Sequence, residues 1–502
     1  MTEQRTRLVW LLGCLGLGTA LRLYRLGHQP LWIDELISLQ LATWAQGAEF
    51  WRGLLIDIHG PFNSLLLHGW SRLGQSESWL RLLYVIPSVA TVPLFGKFAG
   101  DLFRSERIGR VAMLAGAVAP FHVWYAQEIR SYAWAMLWIT AALVLFLRIL
   151  DDRATRRTWF GLGGLLALGL LTNFSAVFLV IALSVVVLAT RRRLLGRWIL
   201  LVGAAGLVFL PWFVDWYQRI GGERLFVEAP SPVGMPLRED SGFSPLEIPY
   251  VPWSFAFGYS LGPPLRDLHL DRSVEALMPY LPVLLVGALA ITMSVIQGFR
   301  AAATRGRLAL LLTYSLVPLG LAILLASREI KTFHPRYLVV LFPVFLALLA
   351  AAWERGGRMG RIALGAVLVL ALVSLGQNYW DPAYAKEDSR AAANLILEEG
   401  RPDDTVVVIY SFRPFRWYYA DRGHGPARLL HAHKRFLRTD DELRAHVAEA
   451  SDGSPRVWLV LSRWWDVAPE ERIRRIFEES LTEEQRWSFP GVKVTLYEGS
   501  AA

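Results

Sequence analysis

Eleven apolar runs set the rhythm of the chain: residues 8–27, 80–103, 108–125, 132–150, 159–172, 174–190, 197–217, 277–298, 308–327, 337–353 and 361–378. Several approach the ~20 residues an α-helix needs to cross the hydrocarbon core of a bilayer. The pattern therefore predicts a polytopic helical membrane protein of about 11 spans. The fifth and sixth runs are short and form one apolar block interrupted at Thr172-Asn173. A single tilted span there would reverse the sidedness of everything after it.

The turns between runs decide the count. With the N-terminus inside, the inside turns carry Arg104, Arg107 and Arg110; Arg153, Arg156 and Arg157; Arg191, Arg192, Arg193 and Arg197; Arg300, Arg305 and Arg307; and Arg355, Arg358 and Arg361. Short basic turns on one side are what the orientation rule for membrane proteins requires. Merging the fifth and sixth runs would put the Arg191–Arg197 cluster outside, so the split is expected. The outside face then receives residues 28–79, 126–131, 218–276 and 328–336.

The first outside segment has an amphipathic stretch, with Leu36, Ile37, Leu39, Leu41, Trp44 and Trp51 beside Glu35, Gln40 and Arg52. Such a stretch is expected to lie in the membrane interface. A second apolar piece, Phe62 to Leu73, is too short to cross and is expected to break at His68-Gly69. Residues 381–502 are charged and read as a soluble domain, outside because the span count is odd. Asp388–Glu399 and Pro469–Leu481 have helical spacing, and Thr405–Tyr410 and Val457–Leu461 read as buried strands. Together they predict a small α/β domain after a membrane domain of residues 1–380.

Composition agrees: 54% of residues are hydrophobic and only 19% charged. The formal net charge of +9 sits in short arginine clusters beside apolar runs, not in a patch on a soluble face, so no nucleic-acid partner is expected. Cys14, the single cysteine, lies inside the first run and excludes an intramolecular disulfide. Arg5 and Arg7 before that run imitate a secretory signal. No small-x-small cleavage site follows, and Arg22, Tyr24 and Arg25 do, so a retained first span is expected.

The candidate chemistry falls in the outside turns. Asp34 and Glu35 follow Pro30-Leu31-Trp32 and are flanked by Ile33 and Leu36, where two adjacent charges are costly unless used. A solvated loop acid is the plain alternative. In Asp57-Ile58-His59-Gly60-Pro61-Phe62, Asp57 and His59 could share a metal or a phosphate; a Gly60-Pro61 turn explains the same spacing. Glu128 and Arg130, at the outer end of a span, suit either an interfacial ion pair or a lipid-phosphate site. Arg328, Lys331, His334 and Arg336 break the basic-inside pattern, and an anionic head group is a physical reason for that. A short loop that tolerates exceptions is the other.

In their order and shared side these motifs resemble the GT-C superfamily of membrane glycosyltransferases, in the bacterial branch with protein O-mannosyltransferases and lipid A aminoarabinose transferases. The matching elements begin with Asp34-Glu35, His59-Gly60-Pro61-Phe62 with Leu65–His68, and Ser76–Leu82. Ala126–Tyr132, Phe333–Leu338 and Tyr384–Ile396 complete them. The resemblance implies a GT-C fold at the cell membrane, with the site and the C-terminal domain on the outer side. It implies sugar transfer from a polyprenyl-phosphate donor to a lipid, glycan or protein acceptor among membrane lipids. Asp34 takes the position of the general base, with Glu35 and Glu128 as acidic companions. His59, Arg130, Lys331, His334 and Arg336 become candidate ligands of the donor phosphate. Some relatives use a divalent metal and others do not. Asp57, His59 and Glu128 are the candidates, and no complete ligand set is legible. Many relatives have His-Pro-Pro or Lys-Pro-Pro where this chain has His59-Gly60-Pro61. Two other readings compete. A transporter or flippase of lipid-linked sugars would place polar groups within the spans and show repeat symmetry, whereas these runs are nearly free of acids. A non-catalytic member of the fold is the third reading.

Overall fold

Every apolar run becomes helical, and proline and asparagine decide where the helices break. The computed structural model describes residues 3–43, 47–56, 60–220, 243–245, 247–271, 273, 275–432, 439–463 and 470–499. Among the described residues, eight helices are long and apolar enough to cross a membrane alone. The third run is two helices, Glu106–Val118 and Pro120–Ala126, because Ala119 is extended (φ −64°, ψ 117°). A residue before proline is driven out of the α region, and Pro120 then suits the first turn of the next helix. The break frees carbonyl groups, and a buried arginine takes them. Arg22, 0% exposed, donates to the carbonyls of Gly116 (3.2 Å), Ala117 (2.9 Å) and Gly18 (2.8 Å). It also reaches Ser88 Oγ at 2.7 Å and His122 Nδ1 at 2.7 Å. A guanidinium at the C-terminal end of a helix complements the helix dipole.

The split at Thr172-Asn173 is present. Helix Arg156–Thr172 ends at an extended Asn173 (φ −156°, ψ 136°), and Ser175–Thr190 begins just beyond. Asn173 stabilises the break by accepting from the Ser175 amide (3.0 Å) and donating to Ser131 Oγ (2.8 Å).

The chain divides into two compact units. The larger comprises Met1–Leu26, Ser38–Leu261 and Leu281–Gly376. Its helices approach closely through small residues: a Cβ on Gly96 would lie 2.9 Å from the Gly109 carbonyl oxygen, and one on Gly109 2.7 Å from that of Gly96. Close backbone approach through small residues is the usual way membrane helices associate. The arginine turns gather at one end of this unit. Asp151 receives Arg153 (2.7 Å), Arg104 (3.7 Å) and Arg307, while Asp152 receives Arg193 (2.5 Å) and Arg191 (3.8 Å). Ser105 bonds Glu354, which ties in the last basic turn.

The segment after the first helix folds as Ile33–Thr43, Gly47–Ile56 and Pro61–Ser71. The expected break at His68-Gly69 is absent, and the helix runs through both residues. His68 is held instead: its Nδ1 donates to the Ala42 carbonyl (2.7 Å), Arg72 donates to its Nε2 (2.7 Å), and its ring stacks on Phe50 (4.1 Å). At 11 residues the helix spans only about 16 Å, too short to cross.

The smaller unit comprises Gly27–Ile37, Gly262–Tyr280 and Gln377–Ala502. Its sheet has the order β2-β1-β3-β5-β4, with β1 Thr405–Ile409, β2 Arg428–Ala432, β3 Arg456–Ser462, β4 Leu481–Phe489 and β5 Val492–Gly499. β1 is parallel to β2 and β3, and β5 is antiparallel to β3 and β4. β1 and β3 are buried throughout, hence their unbroken apolar sequences. Helix Ser389–Glu399 matches its expected position; the second helix is Glu470–Glu478, so Leu481 opens β4 and is not helical. Asp404 is buried in the domain core, where burial pushes its carboxyl up. Bonds from Arg456 (2.8 and 3.0 Å) and Trp458 (2.7 Å) outweigh this and hold it below the usual range.

Candidate active site

Helix direction fixes what lies at each end of the larger unit. Helix Tyr132–Leu150 runs toward Asp151 and Leu308–Ser327 runs away from Arg307, so the turns at 126–131 and 328–336 share the end opposite the arginines. There the exit of the first helix is held from two sides. Gln127 Nε2 donates to the carbonyls of Arg22 (3.0 Å) and Tyr24 (2.9 Å), and Arg81 donates to that of Leu26 (3.1 Å). Gln127 and Arg81 sit in motifs legible in the sequence, but their task of fixing where the chain leaves the membrane is not.

The same end collects buried charge. Glu128 is 2% exposed and Arg130 7%. Arg130 donates to Ser38 Oγ at 3.2 Å, and its amide to the Glu128 carbonyl at 2.8 Å. In the facing turn, the Arg336 amide donates to His334 Nδ1 (3.2 Å), so His334 caps the short helix Pro335–Leu341. Two cations of that turn converge on one ring: Lys331 Nζ lies 4.5 Å and the Arg336 guanidinium 5.2 Å from the Tyr337 centroid, and Arg336 donates to the Tyr337 hydroxyl at 3.2 Å. Tyr259 packs on His334 (5.9 Å between rings) and shares a 2.7 Å hydrogen bond with Tyr125. Glu128 and Arg336 both act electrostatically on that tyrosine pair. Lys331, His334 and Arg336 thus gather about Tyr337 and Tyr259, at the end that also holds buried Glu128. The roles of Tyr125 and Tyr259 carry no sequence signal, since isolated tyrosines in apolar runs look like packing.

Asp34 and Glu35 belong to the smaller unit and open helix Ile33–Thr43. A carboxylate in a first helical turn is favoured by the helix dipole. Adjacent in sequence, the two acids have different surroundings. Asp34 is half-buried, whereas Glu35 is fully buried and accepts from Lys386 Nζ at 3.1 Å. Glu35 is therefore committed to a buried ion pair. Lys386 was legible only as a cation in the post-membrane motif.

Asp57 and His59 lie outside the described residues. Gly60 lies against the end of helix Arg156–Thr172: a Cβ there would come 2.2 Å from the Leu171 carbonyl oxygen. This chain needs glycine at that position for space, not for a special φ. Among the described residues no three His, Cys, Asp or Glu side chains gather as a metal site. Glu128, the metal candidate that is described, is buried.

Residues 58–216 match the sequence profile of the dolichyl-phosphate-mannose-protein mannosyltransferase family. No curated sequence matches the chain. In structure it is similar to ArnT from Cupriavidus metallidurans bound to undecaprenyl phosphate, with a TM-score of 0.57 and 13% identity over 97% of this chain and 98% of that one. The apo form of the same protein gives 0.53 at 13% identity, covering 98% of each chain. The apo oligosaccharyltransferase of Archaeoglobus fulgidus gives 0.51 at 14% identity, over 99% of this chain and 75% of that one. At these identities the likeness is one of fold, and it extends over both units.

Proposed function

We propose that this chain, a multi-pass membrane protein with the fold of the GT-C glycosyltransferases, transfers a sugar from a polyprenyl-phosphate donor to a hydroxyl on a lipid, glycan or protein acceptor. The observation that supports this most is the gathering of Lys331 and Arg336 on the Tyr337 ring beside His334, at the end away from the arginine turns that also holds buried Glu128. Cations and an acid gathered at one end of a membrane bundle suit a lipid-borne phosphate. That end faces outside if the arginine turns face the cytoplasm.

The chemistry asked of these residues is modest. The acceptor oxygen bonds to the anomeric carbon while the bond from that carbon to the phosphate oxygen breaks. Asp34 takes the acceptor's proton as the new bond forms, work that a positioned carboxylate does at about 10²–10⁴-fold advantage. The electron pair of the broken bond leaves on the polyprenyl phosphate, where Lys331 and Arg336, and Arg130 of the 126–131 turn, offset the growing negative charge. Arginine offers two parallel donors to a phosphate, lysine a single compact charge. A divalent cation would supply the same charge neutralisation, with Glu128, Asp57 and His59 as its candidate holders.

The test is a comparison of envelope lipids and glycans from cells with and without the gene. One glycosylated product should disappear with the gene and return when it is restored. Identical envelopes would contradict the reading, and loss of a transported, unmodified lipid-linked sugar from the outer leaflet would favour a flippase.

A further inference from the structure

The segment bearing the two acids is held by the C-terminal part of the chain. Gly27–Ile37 forms one compact unit with Gln377–Ala502, although some 340 residues separate them in sequence. Bonds are spread along the segment. Arg390 donates to the carbonyls of Gly27 (3.4 Å) and His28. Gln29 accepts from the Lys386 amide (2.7 Å) and donates to the Asn378 carbonyl (3.4 Å). The Leu31 amide donates to the Tyr418 hydroxyl at 2.7 Å. Lys386 Nζ then bonds Glu35 at 3.1 Å and lies 5.7 Å from the Trp32 ring centroid, while the Trp32 amide also donates to Glu35 (3.4 Å). Asp34 is thus bracketed by an anchored Leu31-Trp32 before it and an anchored Glu35 after it.

The holding surface is itself tied to the sheet. Glu387 pairs with Arg463 at 3.4 Å, just past the carboxyl end of β3, and the Asp388 amide donates to the Pro490 carbonyl at 2.8 Å. Tyr418 follows the carboxyl end of β1. The carboxyl ends of parallel strands are where open α/β sheets usually bind ligands, and here residues next to that edge bind a segment of the same chain. Lys386 is the key contact because its ion pair is nearly dry: the side chain is 9% exposed and that of Glu35 0%. Removing one partner of such a pair leaves the other charge buried and uncompensated.

We propose that the C-terminal domain acts as a fixed holder for the Asp34 segment, and that Lys386 is a positioning residue for sugar transfer. This rests on Asp34 being the base. A carboxylate displaced by about 1 Å can lose roughly 100-fold in rate, so a loosened segment should slow transfer while donor binding stays intact.

The experiment uses the full chain in lipid nanodiscs and in cells lacking the gene. Hydrogen–deuterium exchange is followed across Gly27–Ile37 in the wild type, Lys386→Met, Lys386→Arg and Tyr418→Phe, with β1 and β3 as the folding reference. Lys386→Met should raise exchange of the Leu31–Leu36 amides about tenfold or more and cut product formation roughly 100-fold. Its affinity for undecaprenyl phosphate, used as the probe, should be unchanged. Lys386→Arg should restore most of both, and Tyr418→Phe should loosen Leu31 alone. If Lys386→Met disturbs β1 and β3 as well, Tyr418→Phe and Lys386→Arg carry the test. Unchanged exchange in the segment, or a loosened segment with full transfer, overturns the proposal. Asp34→Asn in parallel separates it from the reading beneath: a loosened segment with an active Asp34→Asn sinks the base, and a rigid segment with an inactive Asp34→Asn sinks the holder.

Discussion

The two ends of the larger unit handle charge in opposite ways. At the arginine end the Arg307–Asp151 pair is largely buried, at 13% and 6% side-chain exposure, but the other arginines of the Asp151 and Asp152 pairs are mostly well exposed, with 67% for Arg104 and 65% for Arg193. Ion pairs of this kind contribute about 0–1 kcal/mol each. At the other end Glu128, Arg130 and Arg22 are almost dry; Arg22 meets backbone carbonyls and the Ser88 hydroxyl, and Arg130 the Ser38 hydroxyl. Charge at the first end orients and stitches the bundle. Buried charge is costly to keep: at the second end Arg22 meets the carbonyls freed by the helix break, and Glu128 and Arg130 are groups for which we propose chemistry. Substitutions at the two ends should therefore differ in kind: transfer is lost at one, and only a little stability at the other.

The largest effect expected within this unit is at Arg336. Arg336→Glu should lower the affinity for a polyprenyl-phosphate donor by about 100-fold, as expected for losing a charge-assisted bond and adding repulsion. Donor titration of the purified variant measures it. Equal affinity would remove Arg336 from the phosphate site and blur the contrast between the ends. Next comes Arg22→Met, which leaves the Gly116 and Ala117 carbonyls without their guanidinium. It should cost about 2–4 kcal/mol, read as a lower unfolding midpoint in detergent. Gly60→Ala, forcing a Cβ to 2.2 Å from the Leu171 carbonyl oxygen, should cost about 1–3 kcal/mol and shift the same midpoint less.

The smallest effect on transfer is at Asp151. Burial pushes its carboxyl up, but the bonds from Arg307 and Arg153 outweigh this and hold it below the usual carboxylate range. A depressed folded pKa stabilises the protein above the unfolded value, and that contribution is lost as pH falls through the folded one. Asp151→Asn should cost about 1–3 kcal/mol at neutral pH, because Asp151 and its partner Arg307 are largely buried, remove part of the acid sensitivity of unfolding, and leave transfer unchanged. A transfer defect there would break the comparison.

Much of this was legible from residue order. The split at Asn173 followed from arginine bookkeeping, and the parallel strands β1 and β3 from their unbroken apolar runs. The broken third span was missed although Pro120 marks it, because the apolar pattern continues across the proline. The edge strands β2 and β4 were missed because only part of each is buried, so neither shows a clear alternation. At the site, Glu128, Arg130, Lys331, His334 and Arg336 stood out because charge is conspicuous among apolar runs. Tyr125, Tyr259 and Tyr418 did not, since a tyrosine that offers one hydroxyl looks the same as one that merely packs. The bond from Glu35 to Lys386 joins positions 351 residues apart, and a single sequence holds no record of such a pairing.

Sugar transfer itself tests the account most directly. Cells lacking the gene would be supplied with wild-type protein or Asp34→Asn at equal membrane levels, and formation of the glycosylated envelope product followed over time. The account predicts that Asp34→Asn accumulates in the membrane, binds undecaprenyl phosphate like the wild type, and forms product about 10²–10⁴-fold more slowly. Product formation at the wild-type rate would contradict it.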